Sequence, residues 1–133
     1  MSTAANLHRR MFDAINHRDF DTLRTLFGRD SIHVSGDGVA RKGAAPVVEE
    51  VESFSSAFPD LTITVQNHLV PSDKVSVIEY TFSGTHERPF AGLPPTGRKI
   101  SVVGCSILEA EGEQVRREAD YYDVATIMGQ LGQ

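Results

Sequence analysis

Gly84-Thr85-His86-Glu87-Arg88-Pro89-Phe90-Ala91-Gly92-Leu93-Pro94-Pro95-Thr96-Gly97 separates two runs of β-type sequence, and its reading decides the fold. Gly84, Gly92 and Gly97 permit backbone angles closed to other residues, while Pro89, Pro94 and Pro95 hold φ near one value and remove amide donors. The segment is therefore a loop of fixed shape, and fixed loops between strands commonly rim a pocket. At its root, His86 continues the parity of Ile78, Tyr80 and Phe82, the apolar face of the preceding strand, which directs it inward if no bulge intervenes at Gly84.

Working outward, a period of two predicts strands over Leu61 to Leu69, Lys74 to Ser83, Lys99 to Leu108 and Val115 to Tyr122, with turns at Pro71-Ser72-Asp73 and Glu111-Gly112-Glu113. The first half of the chain has a helical period instead. Leu7, Met11, Phe12 and Ile15 predict one helix, and Phe20, Leu23, Leu26 and Phe27 a shorter second one. Val47, Val51, Phe54 and Phe58 mark a third over Ala44 to Ala57, ending before Pro59. A short strand is expected at Ser31 to Ser35, carrying His33, and a final short helix holds Ile127, Met128 and Leu131. Helices followed by a run of mostly antiparallel strands give an α+β class, a curved sheet wrapped around the N-terminal helices. The 133 residues are expected to form one domain, 1-133.

Three motifs together, Phe58-Pro59-Asp60-Leu61, the Gly84 to Gly97 loop and Gln130-Leu131-Gly132, resemble the SnoaL-like polyketide cyclase family over nearly the whole chain. The resemblance implies the cone-shaped α+β barrel shared with nuclear transport factor two and ketosteroid isomerase, with an open ligand pocket. It also implies a cofactor-independent reaction, an intramolecular aldol condensation closing a ring of an aromatic polyketide or similar enolisable compound. Counting back from Gln130-Leu131-Gly132 places Asp120 on the first aspartate of the family's closing pattern, the proposed acid/base, with His86 assisting. Asp123 falls on the second and precedes Val124-Ala125-Thr126, so it reads as a helix N-cap. His33 resembles the family histidine on the first short strand. Substrate contacts are expected from His33, Tyr80, Phe82, Phe90, Glu118 and Tyr122.

Read from its residues alone, the last strand places Arg116, Glu118, Asp120 and Tyr122 on one face, which either meets water or lines a polar cavity. His86 has two readings as well, a hydrogen-bonded core histidine or a donor to a developing enolate oxygen. His8, His17 and His68 are expected to be solvent-exposed, and Cys105 an inert buried thiol. Arg88 stands where the family pattern has glycine and could close the mouth, approach a substrate oxygen or point to solvent. No histidine occurs around Val103 to Ser106, where cyclases often carry a second one, and Glu79 and Ala119 replace residues that are often arginine and tryptophan. Isomerase, dehydratase, epoxide hydrolase or hydroxylation chemistry on the same barrel, or a noncatalytic ligand-binding or dimerisation module, therefore stand as alternatives.

Thirteen Lys plus Arg against eighteen Asp plus Glu give a net charge of -5 without a basic run, which argues against nucleic-acid and anionic-membrane partners. A small hydrophobic aromatic ligand fits better. No nucleophile elbow, dinucleotide fingerprint, P-loop or metal-ligand spacing is present, so no metal and no cofactor are expected. No secretory signal or membrane-spanning stretch is visible, which suggests a soluble cytoplasmic protein. The resemblance implies a homodimer or higher homo-oligomer through the outer sheet face.

Overall fold

Ser2 starts the first helix by accepting the Ala5 N–H, and α1 runs Thr3–His17 until Arg18, in the left-handed region, turns the chain. In this computed structural model, which describes residues 2–133, α2 (Phe20–Leu26) follows at once, with the Asp19 carboxylate accepting from Thr22. The remaining elements are β1 (Phe27–Val34), β2 (Ala40–Lys42), α3 (Ala44–Ala57), β3 (Thr62–Ser72), β4 (Val75–Thr85), β5 (Lys99–Glu111), β6 (Gln114–Tyr122) and α4 (Val124–Gln130). The α+β order is as expected, with two local differences. Phe27 begins β1 rather than ending the second helix. The three exposed residues of β2 are too short a run to show a period.

One mixed sheet of six strands has the order β2-β1-β6-β5-β4-β3, antiparallel throughout except for the parallel pair β1 and β6. It does not close: β2 and β3 remain edges, and the sheet forms the cone-shaped α+β fold around α1. Leu7, Met11, Phe12 and Ile15 of α1 bury against Ile78, Tyr80 and Phe82 of β4 and Val102 and Leu108 of β5. Each fully buried side chain of this size contributes about 1.5–3 kcal/mol. Among the described residues, no helix is long and apolar enough to cross a membrane.

A register shift in β6 corrects the expected face pattern. Ala110 pairs with Val115 but Glu109 pairs with Arg117, so one extra residue is inserted on β6. Val115 and Glu118 are both buried, while Arg116 and Arg117 both stand outside, each next to Glu109. Arg116 thus does not share the face of Glu118, Asp120 and Tyr122, and the bulge turns those three toward the concave side.

The three sequence motifs are joints of this frame. Asp60 accepts from the Thr85 N–H at 2.6 Å and from its hydroxyl at 2.8 Å, tying the start of β3 to the end of β4. A Cβ at Gly84 would lie 2.9 Å from Phe58 Cβ, so only glycine admits this approach. Ala91 and Gly92 both have positive φ in a tight turn closed by reciprocal bonds between Phe90 and Leu93. At the other end, the Gln130 amide brackets the backbone of Ser101, accepting its N–H at 2.8 Å and donating to its carbonyl at 2.9 Å.

Candidate functional site

A small open cavity of about 70 Å³ lies between α1, α3 and the concave face of the sheet. Met11, Phe12, Ile15, Phe54 and Phe82 supply apolar walls, and the polar groups are His33, Glu50, Tyr80, Asp120 and Tyr122. Phe54 and Tyr122 each stand edge-on to Phe82, at 5.9 and 5.4 Å between centroids. An aromatic surround with a few convergent polar groups suits a flat, partly polar ring compound.

His33 is the hub of the polar side. β1 presents it between two carboxylates: Nδ1 is 2.7 Å from Glu118 Oε1 on β6, and Nε2 is 2.6 Å from Glu50 Oε2 on α3. Burial opposes a charge on the ring, yet the bonds to Glu118 and Glu50 prevail and raise it to about 10. His33 is therefore an imidazolium at neutral pH and donates from both nitrogens. Glu50 is fixed further by Ser35, whose hydroxyl donates at 2.9 Å, and by the Tyr122 hydroxyl at 3.2 Å. Burial pushes the Glu50 carboxyl up, but its bond with His33 outweighs this and holds it below the ordinary value.

Asp120 faces the cavity beside this cluster. Burial, and then the adjacent Glu118 charge, push its carboxyl well above the ordinary range. The Tyr80 hydroxyl donates to Asp120 Oδ1 at 2.9 Å, and burial with the Asp120 charge raises the Tyr80 phenol in turn. Both shifts favour the uncharged form, so the site disfavours a charge on Asp120 and keeps the Tyr80 hydroxyl a donor. The Tyr80 ring packs directly against Gly104, its partner on β5. A Cβ at Gly104 would be 2.5 Å from Tyr80 Cζ, and a rigid ring cannot yield. Gly104→Ala is expected to lower stability by about 1–3 kcal/mol in urea unfolding and to move the hydroxyl off Asp120.

Of the residues singled out in the sequence, His33, Tyr80, Phe82, Asp120 and Tyr122 meet in the cavity wall. Glu118 is fully buried and joins the wall through His33. Phe90 packs behind it on Phe54 and Phe58, at 5.1 and 5.4 Å. His86 points inward and is fully buried, but it lies outside the lining, 5.5 Å from the Phe58 ring. Its Nδ1 accepts the Thr96 N–H, so Nε2 carries the proton and, among the described residues, has no hydrogen-bond partner. Arg88 is exposed and donates to the Ser56 carbonyl at the end of α3. Asp123 caps α4 as read, accepting from Ala125 at 3.0 Å.

Three expectations are corrected. His8 is fully buried rather than exposed, with Nδ1 2.8 Å from Ser76 Oγ and Nε2 2.8 Å from Ser106 Oγ. His68 is half-buried, with both nitrogens bonded, whereas His17 is exposed as expected. Cys105 sits on the outer sheet face and is only partly covered. Sequence reasoning also missed Glu50, although an acid at i+3 from Val47 within the apolar stripe of α3 marks it. His33, Glu118 and Asp120 place one ligand-type atom each within 4.8 Å of one another.

Four helices against an open, curved sheet with a cavity on its concave side define the fold of nuclear transport factor two and ketosteroid isomerase. The pattern of the SnoaL-like polyketide cyclases matches residues 5–131, and the chain belongs to that family. Among solved structures it is similar to AclR, a candidate hydroxylase from Streptomyces galilaeus, at 25% identity over 96% of this chain and 93% of that one, with a TM-score of 0.83. IdmH, a candidate polyketide cyclase from Streptomyces antibioticus, shares the fold at 24% identity over 98% of this chain and 99% of its own, with a TM-score of 0.84. TsrD from Streptomyces laurentii does so at 24%, covering 98% and 95%, with a TM-score of 0.83. No curated protein matches the chain significantly.

Proposed function

We propose that this chain is a cyclase-like enzyme that closes a ring on an aromatic polyketide or similar enolisable compound by an intramolecular aldol reaction, with Asp120 as acid/base and no cofactor. What supports this reading is the Asp120 carboxyl in the wall of an aromatic-lined cavity, bonded by Tyr80 and pushed above the ordinary range by burial. A carboxylic acid kept neutral at pH 7 can protonate a carbonyl oxygen, which an ordinary aspartate cannot.

The substrate's enol carbon attacks its own distant carbonyl carbon as Asp120 gives its proton to that carbonyl oxygen. The aspartate then takes the proton that the enol hydroxyl releases, so the acid is restored and the product is an isomer of the substrate. Charge spread over a 1,3-dicarbonyl lowers the demand on the base, which lets one tuned carboxyl serve both steps. His33 and Glu50 stand in the same wall and would orient the substrate's oxygens. His86 is assigned to holding the Gly84 to Gly97 loop against Phe58, outside the reacting group.

Incubation with an aromatic polyketide carrying a 1,3-dicarbonyl side chain tests the reading. The expected product has unchanged mass and a new ring, formed faster than in buffer. Similarity to AclR favours a second reading, in which the product gains one oxygen. A panel of such compounds that binds and returns unaltered would sink both in favour of a binding module.

A further inference from the structure

A chain of polar side chains crosses the interior from the edge strand β3 to the acid pair of the cavity. Arg9 Nε lies 3.0 Å from His68 Nδ1, and His68 Nε2 lies 2.7 Å from Ser76 Oγ. Ser76 is 2.8 Å from His8 Nδ1, His8 Nε2 is 2.8 Å from Ser106 Oγ, and Ser106 is 2.6 Å from Glu118 Oε2. His8, Ser76, Ser106 and Glu118 are all fully buried, whereas Arg9 is exposed and His68 half-buried.

The two ends fix every proton in between. An arginine only donates, so His68 accepts at Nδ1 and carries its own proton on Nε2, facing Ser76. The Ser76 hydroxyl then donates to His8 Nδ1, and His8 donates from Nε2 to Ser106. The Ser106 hydroxyl is left to donate to the Glu118 carboxylate. All donors point the same way, toward the cavity. His8 is lowered to about 3, chiefly by burial and then by His68 and Arg9, so its ring stays neutral with one donor and one acceptor nitrogen.

We propose that His68, Ser76, His8 and Ser106 form a proton relay connecting Glu118, and through it the cavity, to solvent beside Arg9. Proton entry begins at His68 Nδ1, which takes a proton from water when Arg9 swings aside. Four shifts follow: His68 Nε2–H to Ser76, Ser76 O–H to His8 Nδ1, His8 Nε2–H to Ser106 and Ser106 O–H to Glu118. Each breaks one N–H or O–H bond and forms another, with no charge left along the path. Both imidazoles end in the opposite tautomer, and a passage outward restores them. The relay lets Glu118 and its neighbour Asp120 exchange protons while a ligand fills the mouth of the cavity. Ser76 and His68 are not among the residues that line the cavity and act only as conducting residues.

The test needs no substrate, so its failure is distinct from that of the proposed reaction. In protein labelled with 15N-histidine, exchange of the His8 ring proton with water is compared with exchange of core backbone amides in α1 and β4. A relay makes the ring proton exchange much faster than those amides, and Ser76→Ala slows it by at least about tenfold, because exchange without the relay requires local opening. A merely structural network gives the opposite sign, since losing a buried hydrogen bond destabilises the core and speeds opening. His68→Leu, changed at a half-buried position on the edge strand, gives the same slowing and serves if Ser76→Ala fails to fold. A ring proton that exchanges no faster than the core amides, or that speeds up in either variant, overturns the relay.

Discussion

Asp120→Asn is expected to lower kcat for ring closure by about 100- to 10,000-fold, the range for removing a positioned acid/base group. The amide has the size of the acid, and its oxygen can still accept from Tyr80, so the cavity keeps its shape. Stability should not fall. Burial and the Glu118 charge raise the Asp120 carboxyl, so ionising it costs the folded state. That group's contribution is fully present below the unfolded value of about 4 and declines as pH rises toward the folded value. Asparagine removes the decline, so the variant is expected to match the wild type below about pH 4 and to be the more stable of the two as pH rises above it. A dead enzyme with an intact melting curve is the signature of a lost proton. A variant that turned over at the wild-type rate would take the reaction away from Asp120.

His33→Leu acts on stability instead, by about 3–5 kcal/mol, because it leaves Glu118 and Glu50 facing each other without the cation between them. Leucine occupies a similar volume, so the loss is mainly electrostatic. Urea midpoints at several pH values distinguish this from a packing defect. In the wild type His33 is raised to about 10, so its contribution is complete below the unfolded value of about 6.5 and is lost as pH rises through about 10. The variant lacks that loss, and the gap between the two proteins narrows from neutral to alkaline pH. It also narrows in acid, where the stranded carboxyls take up protons. A pH-independent difference would place His33 among ordinary core residues.

Much of the frame is legible in the sequence because its motifs are local joints with local chemistry. Asp60 and Thr85, Gly84 and Phe58, and the Gln130 bracket on Ser101 each need particular residue types at contact distance. The α3 span and the Asp123 cap follow from periodicity and capping alone. The facing of β6 does not, because the inserted residue at Arg116 shows only in the pairing with β5. The family pattern points to Asp120, whereas its raised carboxyl depends on burial and on Glu118, neither visible in a strand taken alone.

The polar interior was hidden for a different reason. His8 lies at i+4 from Ala4 and at i-4 from Phe12, within the buried stripe of α1, but a histidine on a helix is exposed by default. Its burial requires Ser76 and Ser106, each from a different strand and far away in sequence. Ser106, on the strand beside the closing one, bonds to Glu118 and to an imidazole that comes from α1.

The most direct test of the central claim is a 13C NMR titration of the Asp120 side-chain carboxyl, identified by its disappearance in Asp120→Asn. A carboxyl that titrates well above the ordinary aspartate range is the expected result. An Asp120 that ionises near pH 4, as an ordinary aspartate does, would contradict the account.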